Sequence, residues 1–232
     1  MSPHAIPFAL AAHPWLKAGE IELQEETGDA HREVEIGVEL TEREYRFLRK
    51  LLPRILTFSG ASRIADFVFP TGKKITRRIR FELVQKPIGA GKGLKCVRTT
   101  KSHPIKGKKG KHIRRETERS VTSDYAVTFI LAKIEKLGRP IPWYSKKRHS
   151  YKGFYKGIPI TIALDQAVGL GKYSGFYMEI ETIMPLGENQ KRVRRALRVM
   201  NKLARSLVGE KRPAKISYRR MLMRTSPHAK AR

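Results

Sequence analysis

Eight stretches of the chain have the residue pattern of β-strands. The first, residues 32–40, alternates apolar and polar side chains, which is typical of a strand with one face packed and the other in a polar environment. Gly- and Pro-containing turns separate several of the others, as at Pro70-Thr71-Gly72. The predicted strands cover residues 32–40, 62–69, 75–84, 94–101, 113–121, 141–148, 158–165 and 176–183.

A helix is predicted directly after the first strand. Thr41-Glu42-Arg43-Glu44 has the form of a capping box, in which the threonine and the second glutamate satisfy each other's backbone N–H groups. Pro53 is expected to kink or end this helix near its last turn, because proline lacks the N–H that the helix needs. Its apolar face is predicted to consist of Phe47, Leu48, Leu51 and Leu52.

Two further helices are predicted by their caps and apolar stripes. Ser123 is expected to cap the first of them, which runs through Leu137 and stops at the glycine that follows. The second covers residues 188–208, with Gly209 as its stop. The tail around Tyr218 is basic and is predicted to end without regular structure.

The number of strands favours one fold class. Eight strands with few helices suggest an α+β protein, in which an antiparallel sheet closes on itself as an eight-stranded β-barrel with peripheral helices. A chain of 232 residues is compatible with one domain that has a real core. We expect that domain over residues 31–224, with an irregular extension over 1–30 and a basic tail over 225–232.

Composition bears on the cellular location of the protein and on membrane contact. Hydrophobic residues make up 40% of the chain, and no apolar run approaches the roughly 18 residues that a transmembrane helix needs. The apolar stretch 5–12 is short and lacks a preceding basic flank, so it is a poor signal peptide. Cys96 is the single cysteine, which rules out an intrachain disulfide. These features predict a soluble cytoplasmic protein without membrane contact.

The formal net charge of +28 is extreme for this length. Such a charge implies polyanionic partners such as nucleic acid, polyphosphate or nucleotides, although a solvated repulsive surface would have the same composition. The basic Gly-rich loop 102–111 concentrates part of the charge, so nucleic acid or polyphosphate is expected to contact it.

Two acidic pairs bracket a long basic middle. Side chains two apart on a strand point to the same face, so Glu33 and Glu35 share a face, as do Glu179 and Glu181. Same-face basic residues lie between these pairs in the sequence: Arg78, Arg80, Lys101, Lys146 and Arg148. Carboxylates gathered against arginines and lysines can hold hard divalent cations and a phosphate chain together.

The sequence contains no competing catalytic pattern. The seven histidines are scattered, and none has the spacing of a His or His/Cys metal site. Gly169-Leu170-Gly171 reads as a turn and matches neither a P-loop nor a dinucleotide-binding fingerprint.

These residues resemble the CYTH superfamily, the triphosphate tunnel metalloenzymes, over roughly residues 31–224. The strongest part is the strand that ends at Asp165, the Gly169-Leu170-Gly171 turn and the strand Met178-Glu179-Ile180-Glu181. Weaker matches follow in the family's order: Glu33-Val34-Glu35, Arg78-Ile79-Arg80, Lys101, Arg115-Glu116-Thr117-Glu118, Lys146-Lys147-Arg148 and Ile216-Ser217-Tyr218-Arg219.

The resemblance implies a role for each matching residue. The family fold is an eight-stranded antiparallel tunnel that binds a triphosphate beside divalent cations. Carried over, the metal ligands are Glu33, Glu35, Asp165, Glu179 and Glu181, and the substrate-binding residues are Arg78, Arg80, Lys101, Lys146 and Arg148. Glu35, Lys101 and Arg148 are expected to take part in catalysis, and Glu116 and Glu118 to orient basic side chains. The implied cofactor is Mg²⁺ or Mn²⁺.

One position departs from the family pattern. The opening signature of the family is Glu-x-Glu-x-Lys, and Gly37 stands here at the position of the lysine. Either a neighbour such as Lys73, Lys74 or Lys86 supplies the charge, or the substrate and activity differ from those of the usual members.

The resemblance implies a metal-dependent hydrolase of a phosphoanhydride bond. The candidate substrates are inorganic triphosphate, thiamine triphosphate, a nucleoside triphosphate and the 5′ end of an RNA. Two alternatives stay open: a class IV-type adenylyl cyclase that makes cyclic AMP from ATP, and a non-catalytic module that binds RNA or another polyanion.

Overall fold

A computed structural model describes residues 29–69, 75–85, 92–102, 113–185, 187–209 and 217–225. Within these ranges the chain forms eight strands. Their bounds are β1 Asp29–Leu40, β2 Thr57–Phe69, β3 Ile75–Gln85, β4 Lys92–Ser102, β5 Ile113–Val121, β6 Trp143–Tyr155, β7 Ile158–Val168 and β8 Gly175–Met184.

The strands pair antiparallel in a closed ring. Their order around it is β1-β5-β4-β3-β2-β6-β7-β8, and β8 pairs with β1 to close the barrel. Every one of the eight strands therefore has two neighbours, so no edge is left to pair with another chain. The predicted α+β fold, an eight-stranded antiparallel barrel with peripheral helices, is confirmed.

Four helices accompany the barrel in the described part of the chain: α1 Glu42–Ile55, α2 Ser123–Leu137, α3 Gln190–Val208 and α4 Tyr218–Thr225. The capping box of α1 is present, since the Thr41 hydroxyl accepts from the Glu44 N–H at 3.3 Å and a Glu44 carboxylate oxygen accepts from the Thr41 N–H at 2.8 Å. None of these helices combines the length and the apolar character needed to span a bilayer.

Three sequence predictions about helices are wrong. Phe47, expected on the apolar face of α1, is 56% exposed, and Tyr45 is buried there instead. Helix α3 begins at Gln190, after its cap Asn189, and not at residue 188. The cap of α2 is Thr122, whose hydroxyl accepts from the Tyr125 N–H at 3.2 Å, so Ser123 is the first helical residue instead.

Helix α4, which begins at Tyr218, was not predicted, and the end of the tail lies outside the described residues. A helix of eight residues is only marginally stable on its own. Its packing against the barrel therefore stabilises it.

The barrel carries its main apolar core on the outside. Val34, Ile36 and Val38 of β1 are buried in a cluster with residues of β7 and β8, and helices α1 and α3 cover this cluster. Because side chains alternate along a strand, the intervening residues point into the barrel. There Glu33 and Glu35 line a polar cavity. A polar interior enclosed by apolar outer faces is what places charged residues at the centre of the protein.

Helices α2 and α4 cover two other parts of the barrel. Helix α2 packs Ala126, Phe129 and Ile130 onto the outer faces of β2, β3 and β4. Helix α4 instead packs Met221 and Leu222 against a cluster that contains inward-facing residues of β2, β6, β7 and β8, and so covers one end of the cavity.

Candidate functional site

The barrel encloses a polar cavity of about 160 Å³. Its walls come from strands on all sides of the ring and from the first residue of α4. Nine of its lining side chains are charged: Glu33, Glu35, Arg78, Arg80, Glu118, Lys146, Arg148, Glu179 and Glu181. The predicted acidic and basic residues with described side chains, other than Asp165, therefore share one cavity.

One wall of the cavity is acidic. Glu33 and Glu35 lie on β1, and Glu179 and Glu181 lie on β8, its partner strand. Glu35 stands directly opposite Glu181 in the pairing of the two strands. Like charges directly opposite each other across a sheet are destabilising, so this wall favours the approach of a cation.

The facing wall is basic. Arg78 and Arg80 lie on β3, and Lys146 and Arg148 lie on β6. These two strands flank β2, which stands across the ring from the β1–β8 pair. A linear polyanion between the walls would thus contact guanidinium and ammonium groups on one side and carboxylates on the other.

Asp66 is buried behind the basic wall. It is 0% exposed, and its two carboxylate oxygens accept from Arg80 Nε and Nη2 at 2.8 and 3.0 Å. Tyr144 donates its hydroxyl to the same carboxylate at 2.7 Å. Burial alone would raise the pKa of Asp66, but the charges of Arg80 and Arg78 outweigh it and hold that pKa well below its usual range. Asp66 is therefore ionised and fixes the orientation of Arg80.

Asp165 was predicted to bind metal, and the structure places it with cations of the protein. It is 0% exposed and accepts from Arg148 Nε and Nη2, both at 2.7 Å, from Lys146 Nζ at 2.8 Å and from the Tyr218 hydroxyl at 3.0 Å. Burial opposes its ionisation, but Arg148 and Lys146 hold its pKa below its usual range. In this arrangement Asp165 positions two phosphate-binding candidates, and a role as metal ligand stays a prediction.

Lys146 is the most buried cation of the basic wall, at 3% exposure. Burial and the neighbouring Arg148 lower the pKa of its amine, while Asp165 and Glu179 oppose that shift. Its ammonium group lies 4.7 Å from the ring centre of Tyr218, which is the distance of a cation–π contact.

Glu179 bridges the two walls. It forms an ion pair with Arg148, and its carboxylate lies 3.7 Å from Lys146 Nζ. Glu179 was predicted to bind metal, and its carboxylate is paired here with cations of the basic wall. A metal ion at Glu179 would have to compete with these cations.

Two tyrosines connect the buried aspartates. Tyr144 donates to Asp66 and Tyr218 donates to Asp165, and their rings lie 5.4 Å apart. Burial and the negative charge of the adjacent aspartate raise the pKa of each phenol well above its ordinary value. Both hydroxyls therefore stay protonated and act as hydrogen-bond donors.

The predicted orienting residue Glu118 lies beside Arg78. Its carboxylate is 3.7 Å from Arg78 Nη2 and accepts from the Thr99 hydroxyl at 3.4 Å. The backbones of Lys101 and Glu116 are paired between β4 and β5, but their side chains lie outside the described residues. Lys73, Lys74, Lys86 and most of the basic loop 102–111 lie outside them as well.

Gly37 lies on β1 directly opposite Glu179 of β8. Alternation along β1 places it on the same face as Glu33 and Glu35, so the position left by the missing lysine faces the acidic wall. The departure from the family pattern therefore lies on the cavity-facing side of β1.

The Gly169-Leu170-Gly171 motif is a tight turn that seats α4. Both glycines have positive φ, 83° and 57°. A side chain on Gly169 would approach the Tyr144 backbone to 3.3 Å, and one on Gly171 would meet the Thr225 side chain of α4 at 3.0 Å. This turn brings α4, and with it Tyr218, against the end of the barrel.

The donor set suits a hard divalent cation in its chemistry. Glu33, Glu35, Glu179 and Glu181 offer carboxylate oxygens, which Mg²⁺ and Mn²⁺ prefer. Within the described residues, however, no group of three or more His, Cys, Asp or Glu side chains is close enough together to hold a metal ion. The carboxylates are therefore suitable ligands, but the described side chains alone do not form a complete metal site. Metal binding stays a prediction.

Sequence reasoning missed Asp66 and Tyr144 as parts of the site. Asp66 lies in Ile64-Ala65-Asp66-Phe67-Val68, where a charged residue on the same face as two buried aliphatic residues signals a buried partner. The identity of that partner depends on the pairing of β2 with β3, which sets Asp66 opposite Arg80.

Comparisons of the chain with known proteins inform the fold. No protein-family model matches the sequence, and no curated protein matches it. Among solved structures, the PH1819 protein from Pyrococcus horikoshii has a TM-score of 0.63 at 24% identity and covers 84% of this chain and 99% of that one. A candidate adenylate cyclase from Bacillus halodurans has a TM-score of 0.51 at 15% identity and covers 82% and 97% of the two chains. The fold is the one that the CYTH resemblance predicts.

The same fold occurs in other settings. A chain of the Schizosaccharomyces pombe Mediator head module matches with a TM-score of 0.51 at 12% identity, covering 78% of this chain and 97% of that one. Because one fold hosts different proteins, the function of this chain has to be argued from its cavity.

Proposed function

We propose that the chain is a metal-dependent hydrolase that cleaves a phosphoanhydride bond of a triphosphate compound inside the barrel. The main support for this proposal is that a wall of glutamates and a wall of arginines and lysine face each other across one cavity of about 160 Å³. A triphosphate chain carries several negative charges in a line, and only such a two-sided site supplies both cationic side chains and ligands for neutralising cations.

Arg80 and Arg148 are the proposed anchors of the phosphates. Each guanidinium is held by two hydrogen bonds to a buried aspartate, and each also lines the cavity. A guanidinium fork matches phosphate oxygens in geometry and charge. Because the fork is already oriented, little freedom is lost when substrate binds.

Glu35 and Glu181 are the proposed principal metal ligands, with Glu33 beside them. Bound Mg²⁺ or Mn²⁺ would neutralise the phosphate oxygens and lower the pKa of a coordinated water. Magnesium commonly uses one or two protein carboxylates and completes its shell with phosphate oxygens and water. Two facing glutamates therefore suit a cation that binds together with the substrate, because the phosphates and water supply its other ligands.

The reaction we propose is attack of water on the terminal phosphorus. A bond forms between the water oxygen and phosphorus, the bridging P–O bond breaks, and its electron pair stays on the departing phosphate chain. Arg80, Arg148 and Lys146 would stabilise the charge that develops there. The acidic wall offers carboxylates, Glu35 first among them, to take the proton of the water.

The substrate class is defined by the triphosphate and extends to any compound that carries one. Inorganic triphosphate, thiamine triphosphate, nucleoside triphosphates and the 5′ end of RNA are the candidates to test. The proposed site contacts only the phosphates that these compounds share.

A product analysis tests the proposal. The protein is incubated with each triphosphate in the presence of Mg²⁺, Mn²⁺ or a chelator, and the products are identified by mass. We expect inorganic phosphate and the matching diphosphate, formed only with metal. Cyclic AMP and pyrophosphate from ATP would identify a cyclase instead, and triphosphate binding without any product would identify a binding module.

A pair of variants ties the activity to the cavity. Arg80→Ala should weaken triphosphate binding by about 1.5–3 kcal/mol, the range of hydrogen bonds to charged groups. Arg63→Ala removes the same charge from an exposed position on the outer face of β2 and should leave binding unchanged. Equal binding by both variants would contradict the proposal.

A further inference from the structure

Helix α3 carries only positive charges, as does the much shorter helix α4. Its 19 residues include seven lysines and arginines and no aspartate or glutamate. Helix α1 carries Glu42 and Glu44 together with its basic residues, and α2 also carries both signs. The high net charge of the chain is therefore not evenly spread over its helices.

Five of these cations form a single stripe, which we call the α3 stripe. Successive members are four, three, four and three residues apart, the spacing that keeps side chains on one face of a helix. The opposite face, with Val193, Ala196 and Met200, is buried against the barrel. All five members are exposed: Lys191, Arg195, Arg198, Lys202 and Arg205.

The stripe has regular dimensions. At a rise of about 1.5 Å per residue, its five cations extend over about 21 Å, with one charge per roughly 5 Å. This is an extended row, unlike the compact set of cations in the cavity. It suits an extended polyanion with charges at short regular intervals.

Three arginines of this helix are not neutralised by carboxylates of the residues that the structure describes. Arg192 forms an ion pair with Glu188 at 2.9 Å, but Arg194, Arg195 and Arg198 have no ion-pair partner among the residues that the structure describes. Arg195 and Arg198 are members of the stripe, and like charges without counter-charges raise the energy of the folded chain unless an anionic partner is present.

The basic surface continues beyond α3. Lys156 lies in the turn between β6 and β7, and a hydrogen bond with Lys202 and the charge of that residue lower the pKa of its amine. Two basic side chains held this close indicate a positive local potential. The hairpin turn and the stripe are thus one contiguous surface.

We propose that the α3 stripe, extended by Lys156, binds the sugar–phosphate backbone of a nucleic acid. The regular row of cations complements the regular row of phosphates along one strand. Such binding is electrostatic and independent of base sequence, since phosphates position a protein without specifying bases.

Other polyanionic or protein partners fit the surface less well. A helix that lies on a membrane needs a free apolar face, and the apolar face of α3 is already buried. A protein interface usually centres on buried apolar or aromatic anchors, and the stripe offers only charged side chains. A second copy of this chain would present the same positive charge.

The inference does not depend on the activity proposed for the cavity. No residue of the α3 stripe lines that cavity. The two proposals can therefore fail separately, and hydrolysis of a small triphosphate should be unaffected by changes on α3.

A salt titration of matched variants tests the inference. The triple variant Arg195→Gln, Arg198→Gln, Lys202→Gln removes three charges from the stripe. The control variant Arg43→Gln, Lys50→Gln, Arg54→Gln removes three charges from exposed positions on α1. Binding to a fluorescent RNA hairpin and to a DNA duplex of equal length is measured by anisotropy over a series of salt concentrations.

The expected result is a change in salt dependence. For the wild type, the logarithm of the binding constant falls with the logarithm of salt concentration by about 0.9 per phosphate contact on a duplex. The stripe variant should lower that slope by about 2 to 3, with weaker binding to both probes, whereas the control should keep most of the wild-type slope. Tighter binding of the RNA hairpin or of the DNA duplex then identifies the natural class of nucleic acid.

Three results would overturn the inference. The first is no binding of either probe by the wild type at low salt, and the second is an equal loss in the stripe and α1 variants. The third is equal or tighter binding to phosphatidylserine vesicles or a poly-glutamate peptide, with the same loss in the stripe variant. If the triple variant unfolds, Arg195→Lys with Arg198→Lys keeps the charges and must retain the slope, while Lys202→Gln alone must lower it.

Discussion

Asp66 and Asp165 hold two arginines of the cavity, Arg80 and Arg148, in the same way. Each aspartate is fully buried, accepts two hydrogen bonds from one guanidinium, and accepts another from a tyrosine hydroxyl. Asp66 lies on β2 and Asp165 on β7, so the two lie on either side of β6 in the ring. Two buried aspartates, rather than one, therefore keep the basic wall in its orientation.

From this arrangement we expect that removing one of the two aspartates strongly lowers the free energy of unfolding. Asp66→Asn leaves Arg80 without its ionic partner, and we expect a loss of about 3–5 kcal/mol in the free energy of unfolding. Urea unfolding measures the change. The double variant with Arg80→Met should recover much of the loss, because the uncompensated charge is gone. Strictly additive effects of the two substitutions would contradict the pairing.

Glu181→Gln tests the acidic wall. The substitution keeps the shape of the side chain but removes the negative charge opposite Glu35. Without metal, relief of repulsion should leave the free energy of unfolding equal or higher by up to about 1 kcal/mol. The increase in melting temperature that Mg²⁺ and triphosphate produce together should be lost. If the variant keeps that increase and full activity, Glu181 is not a metal ligand.

Gly37→Lys tests the departure from the family pattern. A lysine there would extend beside Glu179 on the cavity face of β1, and we expect tighter triphosphate binding and faster turnover. Calorimetry and a phosphate-release assay measure the two quantities. Gly37→Ala is the control, since it separates the effect of losing glycine in a strand from the effect of the charge. Blocked binding in the lysine variant alone would mean that Gly37 makes room for a bulkier substrate.

His149 predicts a pH dependence of stability. Burial, and then the charge of Arg49, lower the pKa of His149 from 6.5 to about 4, against the opposing charge of Asp165. The unfolded chain therefore binds a proton at this residue near pH 6.5, whereas the folded chain does so only near pH 4. Stability present above pH 6.5 should decline as the pH falls toward 4.

The matched measurement uses His149→Gln. Its urea midpoint should fall less than that of the wild type between pH 7.5 and pH 5, because glutamine does not titrate. An equal fall in both proteins would show that other groups cause the pH dependence. The Tyr45 hydroxyl, 3.4 Å from His149 Nδ1, stays protonated over this range and does not confuse the comparison.

The strands could be predicted from the sequence because each carries its own local pattern. Their ends could not, since pairing with a neighbour decides them. Strand β6 was expected to end at Arg148 but continues to Tyr155, where it pairs with β7 through a hairpin whose turn residues Lys156 and Gly157 both have positive φ. Helix α4 was missed for a related reason, because its stability comes from the residues it covers.

The part of the site that could be predicted is the part that follows from the alternation of side chains along each strand. That alternation places Glu179 with Glu181 and Lys146 with Arg148 without knowledge of the fold. It does not reveal which aspartate faces which arginine, because that depends on strand register. For this reason Asp66 had no predicted role, and the hydrogen bonds between Asp165 and Arg148 were not predicted.

The acidic wall also has a consequence for how the protein folds. Glu35 and Glu181 meet where the first strand of the ring joins the last, so most of the chain separates them in sequence. Contacts between such distant segments are costly in loop entropy and slow to form. An open, partly folded barrel would lack the facing glutamates altogether. Any cation or substrate held there would bind the closed barrel alone, and it would retard the parting of these two strands.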